Sequence, residues 1–226
     1  MEKRNYQKEL EKLIADESNL KKRLLLHSCC APCSSYVLTY LSSYFDITVF
    51  YYNPNITDED EYRHRVLEQK RLIDMLNEDG FVPDWSVRES ERIKIKFIEG
   101  EYDKDRFYEA VRGHENAPEG GSRCERCFYL RLYKTGELAF RERFDFFTTT
   151  LTISPMKNAE LINYTGEKVA SELCDIKDKD QKTGYNAPMW MPSDFKKCNG
   201  FAHSIELSAR YDLYRQNYCG CEFSKR

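Results

Sequence analysis

The chain has 226 residues, a formal net charge of -3 at pH 7 and nine cysteines. A chain of this length can bury a substantial core, so the cysteines are not explained as the disulfide scaffold of a small secreted protein. The mildly acidic balance gives no sign of a general nucleic-acid-binding protein. Residues 1–20 are highly charged and lack the apolar segment of a secretory signal, and no stretch is apolar enough to span a membrane. We therefore expect a cytoplasmic protein with reduced thiols.

The first half of the chain predicts one helix followed by strands and helices in alternation. Leu10, Leu13 and Ile14 share one face of an amphipathic pattern, which predicts an N-terminal helical appendage over residues 1–20. The further elements predicted here are a strand at 24–26, a helix at 34–44, a strand at 47–52, a helix at 58–78 and a strand at 82–87.

The second half continues this alternation. Its predicted elements are a helix at 99–118 that is broken at Gly113, a helix at 123–143, a strand at 144–152, a helix at 156–174, a strand-like stretch at 189–191 and a helix at 201–215. Alternating strands and helices predict an α/β fold, with a Rossmann-like parallel sheet flanked by helices. No repeat or linker interrupts residues 21–226, so we expect one metal-binding catalytic domain there. Its site is expected at the carboxyl ends of the strands.

Seven of the nine cysteines fall into three groups that lie about 90 residues apart in sequence. The groups are Cys29, Cys30 and Cys33, then Cys124 and Cys127, then Cys219 and Cys221. Only a folded domain brings such distant groups together, and clustered thiols spread in this way are typical of metal centres and electron-transfer sites. We therefore expect the three groups to gather at one metal site.

The first group follows a predicted strand and opens a predicted helix. Backbone N–H groups and the positive end of a helix lower the pKa of a thiol in this position, which favours the thiolate. Neighbouring side chains in extended backbone point in opposite directions, and a disulfide between adjacent cysteines is strained. We interpret Cys29 and Cys30 as two metal ligands with diverging side chains, which leaves open that they serve different metal centres.

The other two groups admit more than one chemistry. Cys124 and Cys127 lie one helical turn apart, and with the first group they supply soft ligands that suit zinc and an iron–sulfur cluster equally well. Cys219 and Cys221 flank Gly220, which allows both sulfurs to face one way. This pair is either an easily reduced disulfide or two further metal ligands.

Three isolated residues complete the set of candidates. His27 ends the first strand beside Cys29, where a structural hydrogen-bonding role is the common one and support of a metal ligand or proton donation is the alternative. Cys174 and Cys198 stand alone, and we expect them to be ordinary buried thiols.

Several motifs, in this order, resemble the QueH-type epoxyqueuosine reductase family over about residues 23–223. They are LLLHSCCAPCSSYVL, FYYNPNI with EYRHR after it, CERCFYLRL, FTTTLTISPMKN, PSDFKK and LYRQNYCGC. The resemblance implies an oxidoreductase of queuosine biosynthesis, which reduces the epoxide of epoxyqueuosine to queuosine at the wobble position of a tRNA anticodon. It also implies two partners, the tRNA and a reductant that the sequence does not identify.

The resemblance further implies a [4Fe-4S] cluster held by Cys29, Cys30, Cys124 and Cys127. Cys219 and Cys221 correspond to a pair that is either a redox-active disulfide bond or the ligands of an additional mononuclear iron. Cys33 stands where some family members have aspartate, and it is expected to bind that second metal. With His27, these last three cysteines are the candidate catalytic residues.

A wobble base must leave its loop and stack on a flat side chain. The aromatic candidates, most of which we expect to pack in the core, are Tyr51, Tyr52, Phe128, Tyr129, Tyr164 and Tyr214. The candidate phosphate contacts, each of which is otherwise an ordinary surface charge, are Arg63, Arg65, Lys157 and Arg215.

Two other functions fit part of the pattern. Cys30 and Cys33, between a strand and a helix, resemble the motif of a thiol–disulfide oxidoreductase, but the remaining cysteine groups are surplus to that chemistry. A non-catalytic zinc-binding module is the second alternative. Sulfur transfer with ATP is disfavoured, because no glycine-rich phosphate loop follows the first strand.

Overall fold

The computed structural model describes residues 4–79, 83, 94–179 and 186–225. Five strands are present in these residues: β1 Arg23–His27, β2 Asp46–Tyr51, β3 Lys96–Glu99, β4 Phe146–Thr149 and β5 Met189–Trp190. The α-helices described are α1 Tyr6–Ala15, α2 Ala31–Leu41, α3 Glu59–Glu78, α4 Lys104–Val111, α5 Ser122–Arg141, α6 Ala159–Lys179 and α7 Gly200–Arg210.

The strands form one sheet in the order β3-β2-β1-β4-β5, and every pair is parallel. This confirms the predicted Rossmann-like parallel sheet flanked by helices. The chain builds outward from β1 to β3 on one side and then continues with β4 and β5 on the other. The carboxyl ends of β1 and β4 therefore meet where the order reverses, which is where open α/β sheets place their sites.

Strand β1 is buried on both faces, which explains its uninterrupted run of leucines. Leu24 and Leu26 belong to one hydrophobic cluster, with side chains of α2, α3 and α7. Leu25 points to the opposite face and joins a second cluster with side chains of α5 and α6. The sheet thus separates two cores and fixes which helices flank each face.

The N-terminal helix contributes to the first of these cores. Leu10 is fully buried and clusters with β1 and α2, and Leu13 and Ile14 pack against the same cluster. The predicted helical pattern and its apolar face are therefore present in α1. The domain boundary at residue 20 stays a prediction.

Two elements differ from the sequence prediction. The strand expected at 82–87 lies outside the described residues, apart from Pro83, and β3 occurs at Lys96–Glu99, where we predicted no strand. β3 is a short edge strand with two charged, exposed ends, so it lacks the apolar run that marks a buried strand. The helix expected over 99–118 is limited to α4.

Strand β4 is also shorter than the predicted stretch of 144–152. The side chain of Thr149 accepts a hydrogen bond from the backbone N–H of Leu151, and Thr150–Ile153 forms a 3-10 turn. Local side-chain bonds of this kind compete with strand pairing. The turn brings Thr150 to the carboxyl end of the sheet. None of the described helices is long and apolar enough to span a membrane.

Gly166 of α6 provides a test of how tightly side chains pack between the sheet and helices α5 and α6. A Cβ at this position would overlap the Trp190 ring, which is held by a hydrogen bond to Asn163 and an edge contact with Phe147. In an exposed helix, Gly→Ala is stabilising by up to about 1 kcal/mol. We expect Gly166→Ala to be destabilising instead, by about 1–3 kcal/mol, in urea unfolding. Ser171→Ala, at an exposed position of the same helix, is the control, and a stabilised Gly166→Ala protein would contradict the packing.

Candidate metal centre

The first cysteine group lies where β1 gives way to α2. β1 ends at His27, and Cys30 occupies the N-cap position of α2, with Pro32 in the first turn of that helix. The sulfurs of Cys29, Cys30 and Cys33 all lie within 4.8 Å of one another, as suits ligands of one metal ion.

The predicted divergence of Cys29 and Cys30 is wrong. Their sulfur atoms are 3.9 Å apart. The prediction assumed extended backbone through both residues, whereas the strand ends at His27 and the chain bends at Cys29, and only Cys30 is extended. The bend places both thiols on one side.

The first group is electrostatically asymmetric. Hydrogen bonds from Cys30 and Cys33, together with the charges of Lys157 and Arg131, lower the pKa of Cys29 well below its usual value. The hydrogen bond to Cys29 raises the pKa of Cys30 to about 12, and Cys33 is shifted in the same direction. Without a metal, Cys29 is therefore the sulfur of this group that ionises most readily, and Cys30 and Cys33 donate to it.

Thr150 fixes the position of Cys29 from the neighbouring strand. Its hydroxyl accepts a hydrogen bond from the backbone N–H of Cys29 at 3.2 Å and lies 3.4 Å from the Cys29 sulfur as a donor. Hydrogen bonds to a sulfur favour its ionised form. The turn that follows β4 thus supports the charged member of the first group.

The second group lies in the first turns of α5. The backbone N–H of Gly120 donates to the Cys124 sulfur at 3.2 Å, and Arg131 Nη1 lies 3.9 Å from the Cys127 sulfur. Burial raises the pKa of Cys127 to about 11, against the lowering effect of the Arg131 charge. Cys127 also packs with Cys221 in a small apolar cluster, so the second and third groups are neighbours.

The third group is tied to the loop that follows β2. The backbone N–H of Thr57 donates to Gly220 O at 3.1 Å, and Asn55 Nδ2 donates to Cys219 O at 3.0 Å. Gly220 has φ 97°, and a Cβ there would lie 2.6 Å from Ile56 Cγ1. Glycine is therefore required between the two cysteines for both conformation and space.

The two thiols of the third group differ strongly in acidity. Hydrogen bonding from Cys221, with a further contribution from Ser224, lowers the pKa of Cys219 to about 5. The same contact raises the pKa of Cys221. A thiolate beside a protonated thiol is an arrangement suited to metal binding and to thiol redox chemistry.

The three groups line two cavities that share several residues. One is lined by Cys124, Cys127, Cys219 and Cys221, and the other by Cys29, Cys33 and Cys219. Cys219, Arg131 and Lys157 line both. The distant cysteine groups are therefore brought to one region, as predicted, and two cationic side chains accompany them.

His27 and Arg131 form a buried network beneath this region. Arg131 Nε donates to His27 Nε2 at 3.2 Å, and Arg131 Nη2 donates to Asn53 Oδ1 at 2.5 Å. Burial and the Arg131 charge lower the pKa of His27 to about 3, so its ring is neutral at pH 7. Because a guanidinium only donates, its bond to Nε2 requires the ring proton on Nδ1, 2.8 Å from Thr149 Oγ1, whereas the Tyr52 carbonyl oxygen, also 3.2 Å from Nε2, is served by the other tautomer.

The sequence analysis missed the roles of two asparagines in the loop after β2. In the sequence, Asn53 and Asn55 appear only within the FYYNPNI motif, to which no role was assigned. In the structure, Asn53 holds Arg131 and donates to Ser28 O, whereas Asn55 is buried in the cavity wall and its Oδ1 has no partner within the described residues. The sequence feature that could have indicated these roles is the position of Asn53 and Asn55, two polar residues directly after a strand of the predicted sheet.

The remaining cysteine predictions are partly wrong. Cys174 and Cys198 are exposed rather than buried, because they lie on outward faces of the fold. All nine cysteines are free thiols, so the structure gives no support to the disulfide bond that was one of the two alternatives for Cys219 and Cys221.

The low pKa of Cys219 predicts unusual reactivity in reduced, metal-free protein. Because the thiolate is the nucleophile, we expect alkylation of Cys219 by iodoacetamide to inflect near pH 5 and to change little above pH 6. Cys221→Ala removes the side chain that donates to Cys219, and the inflection should then move to higher pH. Peptide mass spectrometry across pH 4–9 measures both. An inflection of wild-type Cys219 that lies at pH 8 or above would contradict the assigned hydrogen bond.

Comparison with known proteins gives one family. Residues 24–226 match the family described as epoxyqueuosine reductase QueH. The chain is 37% identical over 227 residues to the epoxyqueuosine reductase QueH of Streptococcus pyogenes serotype M1, which covers 100% of this chain and 80% of that protein. The Staphylococcus epidermidis protein of the same name is 37% identical over 228 residues, which cover 99% of this chain and 85% of that protein. The Thermotoga maritima protein of the same name is 30% identical over 204 residues, which cover 89% of this chain and 89% of that protein. With its cysteine groups gathered at the reversal point of a parallel sheet, this chain belongs to the epoxyqueuosine reductase QueH family.

Proposed function

We propose that this protein is an iron–sulfur epoxyqueuosine reductase, which converts epoxyqueuosine to queuosine at the wobble position of tRNA anticodons. The observation that carries the proposal is the convergence of three distant thiol groups on two cavities that share Cys219, Arg131 and Lys157. The family supplies the substrate, because its members are named epoxyqueuosine reductases.

The donor chemistry of the site fits an iron–sulfur cluster. Such clusters are held by cysteine thiolates and tuned by hydrogen bonds to sulfur, and Gly120 and Thr150 place donors at the sulfurs of Cys124 and Cys29. The two cations balance the negative charge of a thiolate-bound centre. The residues proposed to hold a [4Fe-4S] cluster are Cys29, Cys30, Cys124 and Cys127.

Three cysteines then remain for a second role. Cys33 and Cys219 line the same cavity, and Cys221 pairs with Cys219 through a hydrogen bond. This set suits an additional mononuclear iron, with sulfur ligands only. A redox-active pair of Cys219 and Cys221 is the alternative, and both uses place these two cysteines at the reacting centre.

The reaction removes the epoxide oxygen. It consumes two electrons and two protons, breaks both carbon–oxygen bonds, leaves a carbon–carbon double bond and releases water. When bound, an iron–sulfur cluster supplies electrons one at a time. The electrons come from an external reductant, a protein or a small donor.

Lys157 is the side chain best placed to assist departure of the oxygen. It lines both cavities, and the nearby sulfurs with lowered pKa values, Cys29 and Cys219, favour its protonated form, against the effect of burial. An ammonium group here stabilises negative charge that develops on the oxygen and can donate a proton to it. His27 is neutral and fully buried, so we assign it to positioning of Arg131 and not to proton donation.

The tRNA is proposed to approach the cavity that contains Cys29 and Cys33. Arg215 is exposed at its rim, next to the exposed ring of Tyr214. Arg65, another candidate phosphate contact, is buried and paired with Glu61, which indicates a structural role. Tyr51, Tyr52 and Phe128 are buried core residues, whereas Tyr164 is 64% exposed.

Metal content tests the proposal directly. We expect anaerobically purified protein to be brown, to contain iron and acid-labile sulfide, and to reduce epoxyqueuosine in tRNA when supplied with a strong reductant. Cys124→Ser should lose most of the iron and the activity. Cys174→Ser and Cys198→Ser change exposed cysteines away from the site and are the matched controls. A colourless protein with stoichiometric zinc would overturn the proposal.

The third cysteine group needs its own variant. In the Cys219→Ser, Cys221→Ser double variant, we expect activity to fall by more than tenfold. Loss of iron relative to the wild type would indicate a second metal, and unchanged iron would indicate a redox pair. Unchanged activity would remove these two cysteines from the proposed catalytic set.

Binding of tRNA should depend on the exposed charge at the rim. Each phosphate contact contributes about one unit to the slope of log affinity against log salt. We expect Arg215→Ala to weaken tRNA binding severalfold at low salt and to reduce that slope by about one. Lys12→Ala, at an exposed position of α1, is the control. Equal salt slopes for the Arg215→Ala and wild-type proteins would move the tRNA surface elsewhere.

A further inference from the structure

Arg131 is a buried cation that has no carboxylate partner. Its side chain is only 3% exposed, and it makes no ion pair within the described residues. Glu119 lines the same two cavities, but it is exposed and does not pair with Arg131. A guanidinium keeps its charge in proteins, and a buried charge is costly unless an opposite charge compensates it.

Among the described residues, the other buried arginines are satisfied either by a carboxylate or by backbone carbonyl oxygens. Arg65 forms an ion pair with Glu61 at 2.7 Å. Arg123 donates to the backbone oxygens of Glu115 and Ala117, both at 2.6 Å, and so serves as a structural clamp. Arg131 instead contacts two neutral side chains and one sulfur.

The contacts with His27, Asn53 and Cys127 hold the Arg131 guanidinium beside the cysteine groups. Its Nε and Nη2 atoms are held by His27 and Asn53, while Nη1 lies 3.9 Å from the Cys127 sulfur. Three of its five N–H donors are used in these contacts, and the residue lines both cavities. Of the three side chains in these contacts, only the Cys127 thiol can become negatively charged, so we assign the thiolates and whatever they bind as the anionic partners of Arg131.

We infer that Arg131 is a positioning residue whose uncompensated charge holds an anionic metal centre and raises its reduction potential. The inference rests on the proposed iron–sulfur centre. Each electron that enters such a centre adds a negative charge, so a nearby cation stabilises the reduced state more than the oxidised state. Low surrounding dielectric strengthens this effect. Because residue 53 is a neutral asparagine and not an aspartate, its hydrogen bond with Arg131 does not compensate the positive charge of the guanidinium.

The decisive comparison is Arg131→Gln against Arg131→Lys. Glutamine keeps hydrogen-bond donors but removes the charge, whereas lysine keeps the charge but loses the planar fork. We expect one-electron reduction of the Arg131→Gln protein to be at least tenfold less favourable than in the wild type, a shift of about 59 mV to more negative potential. The Arg131→Lys protein should lie closer to the wild type. Anaerobic redox titration followed by absorbance and EPR measures the potential, with iron content recorded for each protein.

Asn53→Asp provides a second route that leaves Arg131 in place. It adds the missing carboxylate beside the guanidinium, so the potential should again become more negative. It also removes the bond from Asn53 Nδ2 to Ser28 O, and Asn53→Leu measures the effect of that loss without added charge. Arg126→Gln is the control for charge alone, since Arg126 is exposed on the same helix between Cys124 and Cys127. Its effect should be small because solvent screens it.

The outcomes separate this inference from the proposed function. Equal potentials and equal iron contents in the Gln and Lys variants overturn the inference, as does an Asn53→Asp potential equal to that of Asn53→Leu. Iron lost in the Gln variant but retained in the Lys variant supports it, because the charge is then needed to hold the centre. A wild-type protein without a redox-active centre overturns both proposals. A potential shift in a protein that does not reduce epoxyqueuosine overturns the substrate assignment alone.

Discussion

The parallel pairing of β1 with both β2 and β4 is the constraint on which the site depends. His27 is in register with Phe50 on one side and with Thr149 on the other. The chain must therefore leave all three strands at the same edge of the sheet. The first cysteine group, the loop with Asn53 and Asn55, and Thr150 are neighbours for this reason. A slip of β1 by one residue would move the exposed Arg23 or the polar Ser28 into a neighbouring residue's place in the register and break the pairing of His27 with Phe50 and Thr149.

Helix α5 completes the site by crossing from the second cysteine group to the sheet. Its first turns carry Cys124 and Cys127, and Arg131 follows Cys127 by one turn, on the same face. The guanidinium then reaches His27 at the end of β1 and Asn53 after β2. One helix thus joins two cysteine groups through a charged side chain, and the C-terminal turn at Gly220 closes the region against the same loop. The protein supplies positive charge where its thiols concentrate negative charge, which is the electrostatic requirement of a thiolate-bound metal centre.

Local pattern was sufficient for the elements with strong periodicity or apolar runs. β1, β2, α3 and α5 occur within a few residues of their predicted positions, because their burial follows directly from their sequence. β3 was missed because an edge strand with charged ends gains its stability from pairing with β2 and not from its own pattern. The end of β4 was misplaced because the Thr149 side chain caps a turn within a β-branched stretch that otherwise favours a strand.

The sequence by itself determined the fold class, the three cysteine groups and the family, since these depend on residue order and spacing along the chain. Tertiary structure alone decided which thiols are neighbours, which of them have a lowered pKa, and that Cys174 and Cys198 face outward. It also decided that Arg131 is buried without a carboxylate. The physical reason is that acidity and charge compensation depend on distances of a few ångströms between side chains such as His27 and Arg131, which are 104 positions apart in sequence. No local pattern encodes those distances, because the pairing of the strands creates them.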